Sequence, residues 1–261
     1  MTVRLLVHAH VPHCGASRLN RALFFRSYSR GETLLAYDEA FCRQARMGGA
    51  APARALATAR LALGHVPYGY FDGLGRWPLY VSVFDDPVNR FLSRLGEVMA
   101  MPGEERAALL PEGADADALA GDPEALAQAL LSGPAERKLL LNAMTRMAAG
   151  MPALVPVRLD RADLAVAKAN LSRANYLVAL REDLPNFQGY LRDVLGIGVG
   201  QQRAAGTEGW PQVLGGAQLR RPVKLRPGDV SARTISRIEA ANDLDMHLHE
   251  AAAMAAHAAW G

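Results

Sequence analysis

Short apolar runs alternate along this chain with segments whose apolar residues recur at helical spacing, and this alternation most limits what it can fold into. Residues 3 to 9 form one such run, ending at Pro12 and Gly15, after which Leu19, Ala22, Leu23 and Arg26 follow at helical spacing. Thr33 to Ala36 predicts a second strand, with a helix following from Asp38, which can cap it. Residues 54 to 63 read as helical or as the end of a strand. Leu79 to Phe84 is the clearest buried strand, and Pro87 opens a helix through Phe91, Leu92 and Leu95. Strands and helices in this order predict an α/β fold: a central parallel sheet flanked by helices on both faces.

The rest of the chain extends the pattern. Met101 to Gly133 is rich in proline, glycine, alanine and acid and lacks aromatics, so it predicts an acidic, solvated and mobile insertion in which Asp122-Pro-Glu can start a short helix. Helices are expected over Ala135–Ala149 and Asp163–Ser172, a strand over Tyr176–Leu180, and a helix over Phe187–Leu195 stopped by Gly196. Residues 196 to 230 read as a long loop, and Ser231–Trp260 as helical. No internal repeat and no second core is visible, so residues 1–261 read as a single domain.

Composition excludes several classes of function. With 261 residues, half of them hydrophobic, the chain can bury a full core. The net charge of +3 hides an uneven distribution: 12 basic and 7 acidic residues lie in 1–100, 1 and 7 in 101–135, and 16 and 12 in 136–261. A basic body without a dense Lys/Arg stripe interleaved with aromatics favours small anionic ligands in a cleft over nucleic acid. Only Lys138, Lys168 and Lys224 are lysines, so no standard Walker A loop exists in the first half. Cys14 and Cys42 form neither a zinc pair nor a disulfide framework, which suits a reducing cytoplasm. No apolar run long enough for a membrane span or a signal peptide is present, and neither a membrane association nor export is expected.

Chemistry concentrates in His10-Val-Pro-His-Cys-Gly-Ala-Ser17, a loop between the first strand and the first helix. Ligands of open α/β sheets bind outside the carboxyl ends of strands, where a helix N-terminus offers unpaired N–H groups to an anion. Gly15 and Ala16 let a phosphate approach the backbone, Ser17 adds a hydroxyl and Arg18 a charged fork. An ordinary strand-to-helix turn is the competing reading. His8, His10, His13 and Cys14 form a local cluster that can be read as a transition-metal site or as structural hydrogen bonding by His10, and we expect no metal. Tyr68 and Tyr70 either shape an acceptor pocket or pack in the core. Arg220, Arg221, Lys224 and Arg226 either fold over a phosphate or form a solvated loop, and His247, His249 and His257 read as a helix face.

The loop resembles the His-Ile-Pro-Lys-Thr-Gly-Gly-Thr-Ser loop of sulfotransferases that use 3′-phosphoadenosine 5′-phosphosulfate, in particular the branch of heparan sulfate 2-O-sulfotransferases and their bacterial relatives. Gly64-His-Val-Pro-Tyr-Gly69 is similar to that branch's Gly-His-Val segment. Leu79-Tyr-Val-Ser-Val-Phe-Asp-Asp-Pro-Val-Asn-Arg-Phe-Leu-Ser93 is similar to its Val-Leu-Arg-Asp-Pro-Val-Glu-Arg-Phe-Leu-Ser strand and helix. Asn142-Ala-Met-Thr-Arg-Met-Ala-Ala-Gly150, the Leu-Asp-Arg-Ala-Asp-Leu and Leu-Arg-Glu-Asp-Leu stretches of residues 159 to 195, and the final Leu-Asp-Met-His-Leu-His-Glu follow in the family's order.

The resemblance implies a sulfotransferase (P-loop-like) fold and transfer of a sulfuryl group to a hydroxyl, with a small molecule or carbohydrate as acceptor. It puts Cys14, Gly15, Ala16, Ser17 and Arg18 in the phosphate-loop places, Ser93 in that of the 3′-phosphate serine, and His65 in that of the catalytic base. His13 stands where the family has the lysine that steadies the leaving phosphate, and Asp85 where it has the 3′-phosphate arginine. Asp85 must therefore turn toward Arg90 or Arg94, or an arginine of residues 203 to 226 must enter, for a 3′-phosphate to bind. A non-catalytic descendant that binds a ligand or a protein partner is the alternative expectation.

Overall fold

The computed structural model describes residues 5–15, 19–36, 56–73, 77–132, 141–151, 158–197 and 222–260. Its centre is a five-stranded, all-parallel sheet of β1 (Leu5–Ala9), β2 (Thr33–Ala36), β3 (Leu61–Gly64), β4 (Pro78–Phe84) and β5 (Tyr176–Leu180). The spatial order is β2-β3-β1-β4-β5. Every residue of the central strand β1 is buried, because a parallel sheet covered on both faces needs apolar residues at odd and even positions alike. The strands are therefore mostly apolar, and their polar members His8, Thr33 and Ser82 are buried as well.

The two faces bury different sets. Leu5, Val7 and Ala9 of β1, with Tyr80, Phe84, Tyr176 and Val178, pack under α6 (Ala143–Ala148), α7 (Arg161–Leu171) and α10 (Asp243–Trp260). Leu6 and Leu61, Leu63, Val81 and Val83 pack under Leu19 and Phe24, which flank and end a π-turn over Asn20–Phe24, and under α8 (Leu184–Asp193). A one-turn helix α1 (Phe25–Ser27) continues that π-turn. At the side of the sheet, α2 (Pro87–Met99), α5 (Pro123–Ser132) and α9 (Ala232–Ala241) form a third apolar cluster. Asp86 caps α2 by accepting from Asn89 N at 2.9 Å, and Pro87 takes the first turn, as the Asp-Pro pair predicts.

Four expectations change. Residues 101 to 132 are a packed helical segment, of α3 (Gly103–Ala107), α4 (Ala116–Leu119) and α5, in place of a solvated excursion. Leu126, Ala127, Leu130 and Leu131 are buried against α2 and α9. The acids that suggested solvation are caps and braces: Asp115 accepts from Asp117 N and Ala118 N, and Glu124 accepts from Ser231 N, Ser231 Oγ and Thr234 Oγ1. The helix expected over Ala135–Ala149 starts at Ala143, where Asn142 in the left-handed region (φ 52°) precedes it; residues 133–140 lie outside those described. The final helix is two, broken at Asn242. The helix before Gly196 begins at Leu184, with Pro185 in its first turn. The helix expected from Asp38 and most of the 196–230 loop lie outside the described residues. Among those described, no helix is long and apolar enough to cross a membrane.

Three of the segments that carry the sequence resemblance meet in one buried network. Arg90 and Asp245, both with side chains fully buried, lie 3.4 Å apart. Asp245 accepts from Thr145 N at 2.7 Å and Met144 N at 3.2 Å, while Arg90 donates to Asn242 Oδ1 at 3.0 Å. Asp245→Ala would leave an uncompensated buried guanidinium and two unpaired amides. It is expected to lower the unfolding free energy in urea by about 3 to 5 kcal/mol, and a loss under about 1 kcal/mol would show that the network contributes little.

Candidate functional site

In this strand order the chain leaves β1 toward β2 and β3 and leaves β4 toward β5, so a crevice opens between the segments that follow β1 and β4. The residues at the strand ends lie along that edge. His10 follows β1, His65 follows β3, Asp85 follows β4, and Arg181 follows β5.

Three imidazoles form a stack at the ends of β1 and β3. The His10 ring lies 5.6 Å from that of His8 and 5.1 Å from that of His65, and the His10 amide donates to Gly64 O at 2.8 Å. His65 Nδ1 is 2.8 Å from His10 O; a carbonyl only accepts, so Nδ1 carries the proton and the basic lone pair is on Nε2. Burial lowers the His65 pKa, partly offset by that hydrogen bond, and keeps the ring neutral at pH 7. His65 thus has the tautomer and charge of a general base. His8 Nδ1 donates to Asn20 Oδ1 at 2.6 Å, and burial takes its pKa down to about 4.

The turn after β1 departs from a cationic phosphate loop. His13 adopts φ 66° and Gly15 φ 73°, so the turn is tight. Burial, with the charges of Arg94 and Arg90, takes the His13 pKa down to about 3. Its ring is therefore neutral beside Glu97 Oε2 at 3.5 Å, an oxygen that Arg94 Nη1 already holds at 2.8 Å. The expected protonated donor is in this state an N–H donor without charge. Cys14 is fully buried and its thiol is pushed up to about 12, first by desolvation, so it is not a nucleophile. Ala16, Ser17 and Arg18 lie outside the described residues.

On the other side of the crevice, a cavity of about 860 Å³ is lined by Asp85, Ser93, Arg181, Lys224 and Arg226 among others. Asp85 turns toward neither Arg90 nor Arg94: its carboxylate is bound by Arg181 Nη1. Burial raises the Asp85 pKa, opposed by Arg181. Arg181 also lies against the turn after β1, since a Cβ on Gly15 would sit 3.1 Å from its Nε. Lys224 and Arg226 enter on a strap, residues 222–226, that crosses α2 at Gly96, where Val223 N donates to Gly96 O at 3.0 Å. A Cβ on Gly96 would lie 1.9 Å from Val223 O, so only glycine admits this crossing. Arg220 and Arg221 lie outside the described residues.

Other candidates resolve as packing. Tyr68 donates to Asn175 Oδ1 at 2.8 Å and its ring stacks on Tyr176 at 4.7 Å, while Tyr70 meets Phe71 edge-on at 4.9 Å. His247 lies 3.5 Å from Asp243 and 3.7 Å from Glu250 along one face of α10. Among the described residues no group of three or more His, Cys, Asp and Glu side chains is placed to hold a metal ion. Arg181 is the site residue that the sequence does not flag. It stands in the Leu-Arg-Glu-Asp-Leu stretch and follows a strand, as Asp85 does, and the pairing of those strands is not written in either segment.

A scan against protein-family models finds no match to this chain, and a search of curated proteins finds none either.

The histidine stack makes a prediction about acid. An unfolded histidine binds its proton near 6.5, whereas folded His8 does so only near 4, so folding is opposed as pH falls through that window. Each such histidine removes up to about 3 kcal/mol by pH 4. Urea unfolding is expected to show stability falling steadily from pH 7 to 5, and His8→Gln to flatten the slope by close to one proton; an unchanged slope would rule His8 out as a cause.

Proposed function

We propose that this protein transfers a sulfuryl group from 3′-phosphoadenosine 5′-phosphosulfate to the hydroxyl of a small-molecule or carbohydrate acceptor. The observation that carries the reading is His65: a neutral imidazole at the carboxyl edge of a parallel sheet, with Nδ1–H fixed on the His10 carbonyl and Nε2 basic. The sulfotransferase-like, P-loop-like reading of the fold draws support from the 2-3-1-4-5 strand order, with its crevice between the turn after β1 and the start of α2.

The residues present fit an anionic nucleotide donor. Ser93, Arg181, Lys224 and Arg226 face one cavity of about 860 Å³, within the size range of ligand sites, whose walls also include Leu184 and Pro185. When bound, the donor supplies a sulfuryl group already attached to a phosphate leaving group. The phosphate-loop residues Cys14, Gly15, Ala16, Ser17 and Arg18 would hold its 5′ end, with the Arg181 side chain lying against Gly15. His65 takes the acceptor hydroxyl's proton on Nε2, and the imidazolium formed keeps its Nδ1–H on the His10 carbonyl, which stabilises the positive ring. His13 offers one N–H to the developing charge on the leaving phosphate.

His65→Gln is expected to cut release of 3′-phosphoadenosine 5′-phosphate in an acceptor screen by about 10² to 10⁴ while leaving nucleotide affinity near wild type. An unchanged rate would remove His65 as base. A failure of the wild type to bind 3′-phosphoadenosine 5′-phosphate at millimolar concentration in calorimetry would overturn the donor. A second reading, a non-catalytic protein of the same architecture that binds a ligand or partner, is favoured by the neutral His13 and the buried Asp85. Nucleotide binding with no turnover on any acceptor would decide for it.

A further inference from the structure

We propose that this protein recognises the 3′-phosphate of its nucleotide through Arg181, a residue of β5's end, and that Asp85 is the counter-ion the phosphate displaces from it. The inference rests on the donor reading above. Phe84 and Leu180 are register partners on neighbouring parallel strands, and Arg181 N donates to Phe84 O at 2.8 Å. Residues 85 and 181 are therefore the first positions beyond two adjacent strand ends. Both positions line the same cavity, one with a carboxylate and the other with the guanidinium.

Exposure sets their order from the cavity. The Asp85 side chain is 4% exposed and that of Arg181 36%, so the guanidinium faces the space and the carboxylate lies behind it. Asp85 engages Nη1, one corner of a group with five N–H donors. Lys224 and Arg226 approach the same space from the strap, which the Gly96 crossing fixes one helical turn beyond Ser93. With Glu182, the cavity is lined by three cationic and two anionic side chains. A phosphomonoester dianion carries twice the charge of a carboxylate and accepts a fork of two N–H bonds, so it competes for Arg181 where a neutral hydroxyl does not. Burial already opposes ionisation of Asp85, and drawing Arg181 toward a ligand strengthens that opposition. The loss of its partner is thereby met by proton uptake.

The test is calorimetric binding of 3′-phosphoadenosine 5′-phosphate against adenosine 5′-phosphate, which lacks the 3′ group. Wild type is expected to prefer the first, with net proton uptake read from buffers of different ionisation enthalpy. Arg181→Gln is expected to reduce that preference by about 10- to 100-fold, the range of a charge-assisted hydrogen bond, without weakening adenosine 5′-phosphate. Asp85→Asn is expected to raise the preference and abolish the proton uptake. Should Arg181→Gln fail to fold, Lys224→Gln combined with Arg226→Gln is expected to lower the preference by about tenfold. A preference that survives Arg181→Gln, or falls in Asp85→Asn, overturns the inference and leaves the donor reading standing. A wild type that binds neither nucleotide overturns both.

Discussion

The fully buried contact between Arg90 and Asp245 is what the rest of this structure depends on. Two charges removed from water are tolerable only when they are paired and hydrogen-bonded, and here three elements distant in sequence supply those contacts. Asp245 belongs to α10 and takes the amides of Met144 and Thr145 from α6; Arg90 belongs to α2 and reaches Asn242 at the break between α9 and α10. The network fixes α2 against the helical layer. Since α2 begins next to Asp85, carries Ser93, and supports the 222–226 strap at Gly96, the cavity has its shape only while this network holds.

The strands were legible because burial on both faces leaves a nearly continuous apolar run, as in Leu79 to Phe84, where the one polar side chain, Ser82, donates to Ala9 O. Helix starts were legible where a side chain both caps and stops, as at Asp86-Pro87. The 101–133 segment was misread because its composition and its packing are set by different residues. Four buried residues of α5 decide the packing, whereas the acids that dominate the composition sit at helix ends, where carboxylates accept backbone N–H groups. The break at Asn242 has no glycine or proline to announce it. It exists because the Asn242 side chain is drawn into the Arg90 network, a contact between residues 152 positions apart.

The candidate site divides along the same line. His65 was a candidate through the resemblance of its local segment, and the structure adds its tautomer, which depends on a carbonyl of another strand's end. Asp85 was legible as a departure in sign, but its partner was not, because Arg181 is brought to it by strand pairing and not by spacing. The charge of His13 was equally out of reach. A histidine next to arginines and shielded from water is driven neutral, whereas the same residue in an open phosphate loop gains charge from its ligand.

These charge states suggest how one crevice keeps two chemistries apart. Beside it the imidazoles of His8, His10, His13 and His65 are neutral, so on the proposed function an uncharged base is available near pH 7. At its margin, Arg181 and the strap residues Lys224 and Arg226 keep permanent charge in a solvent-open cavity, where an anion meets them without burying an unpaired ion. Lys224 is one of only three lysines in the chain. On the proposed function, its place in that cavity, rather than in the turn after β1, puts anion binding beside Ser93 and the end of β5 while proton transfer rests on buried histidine.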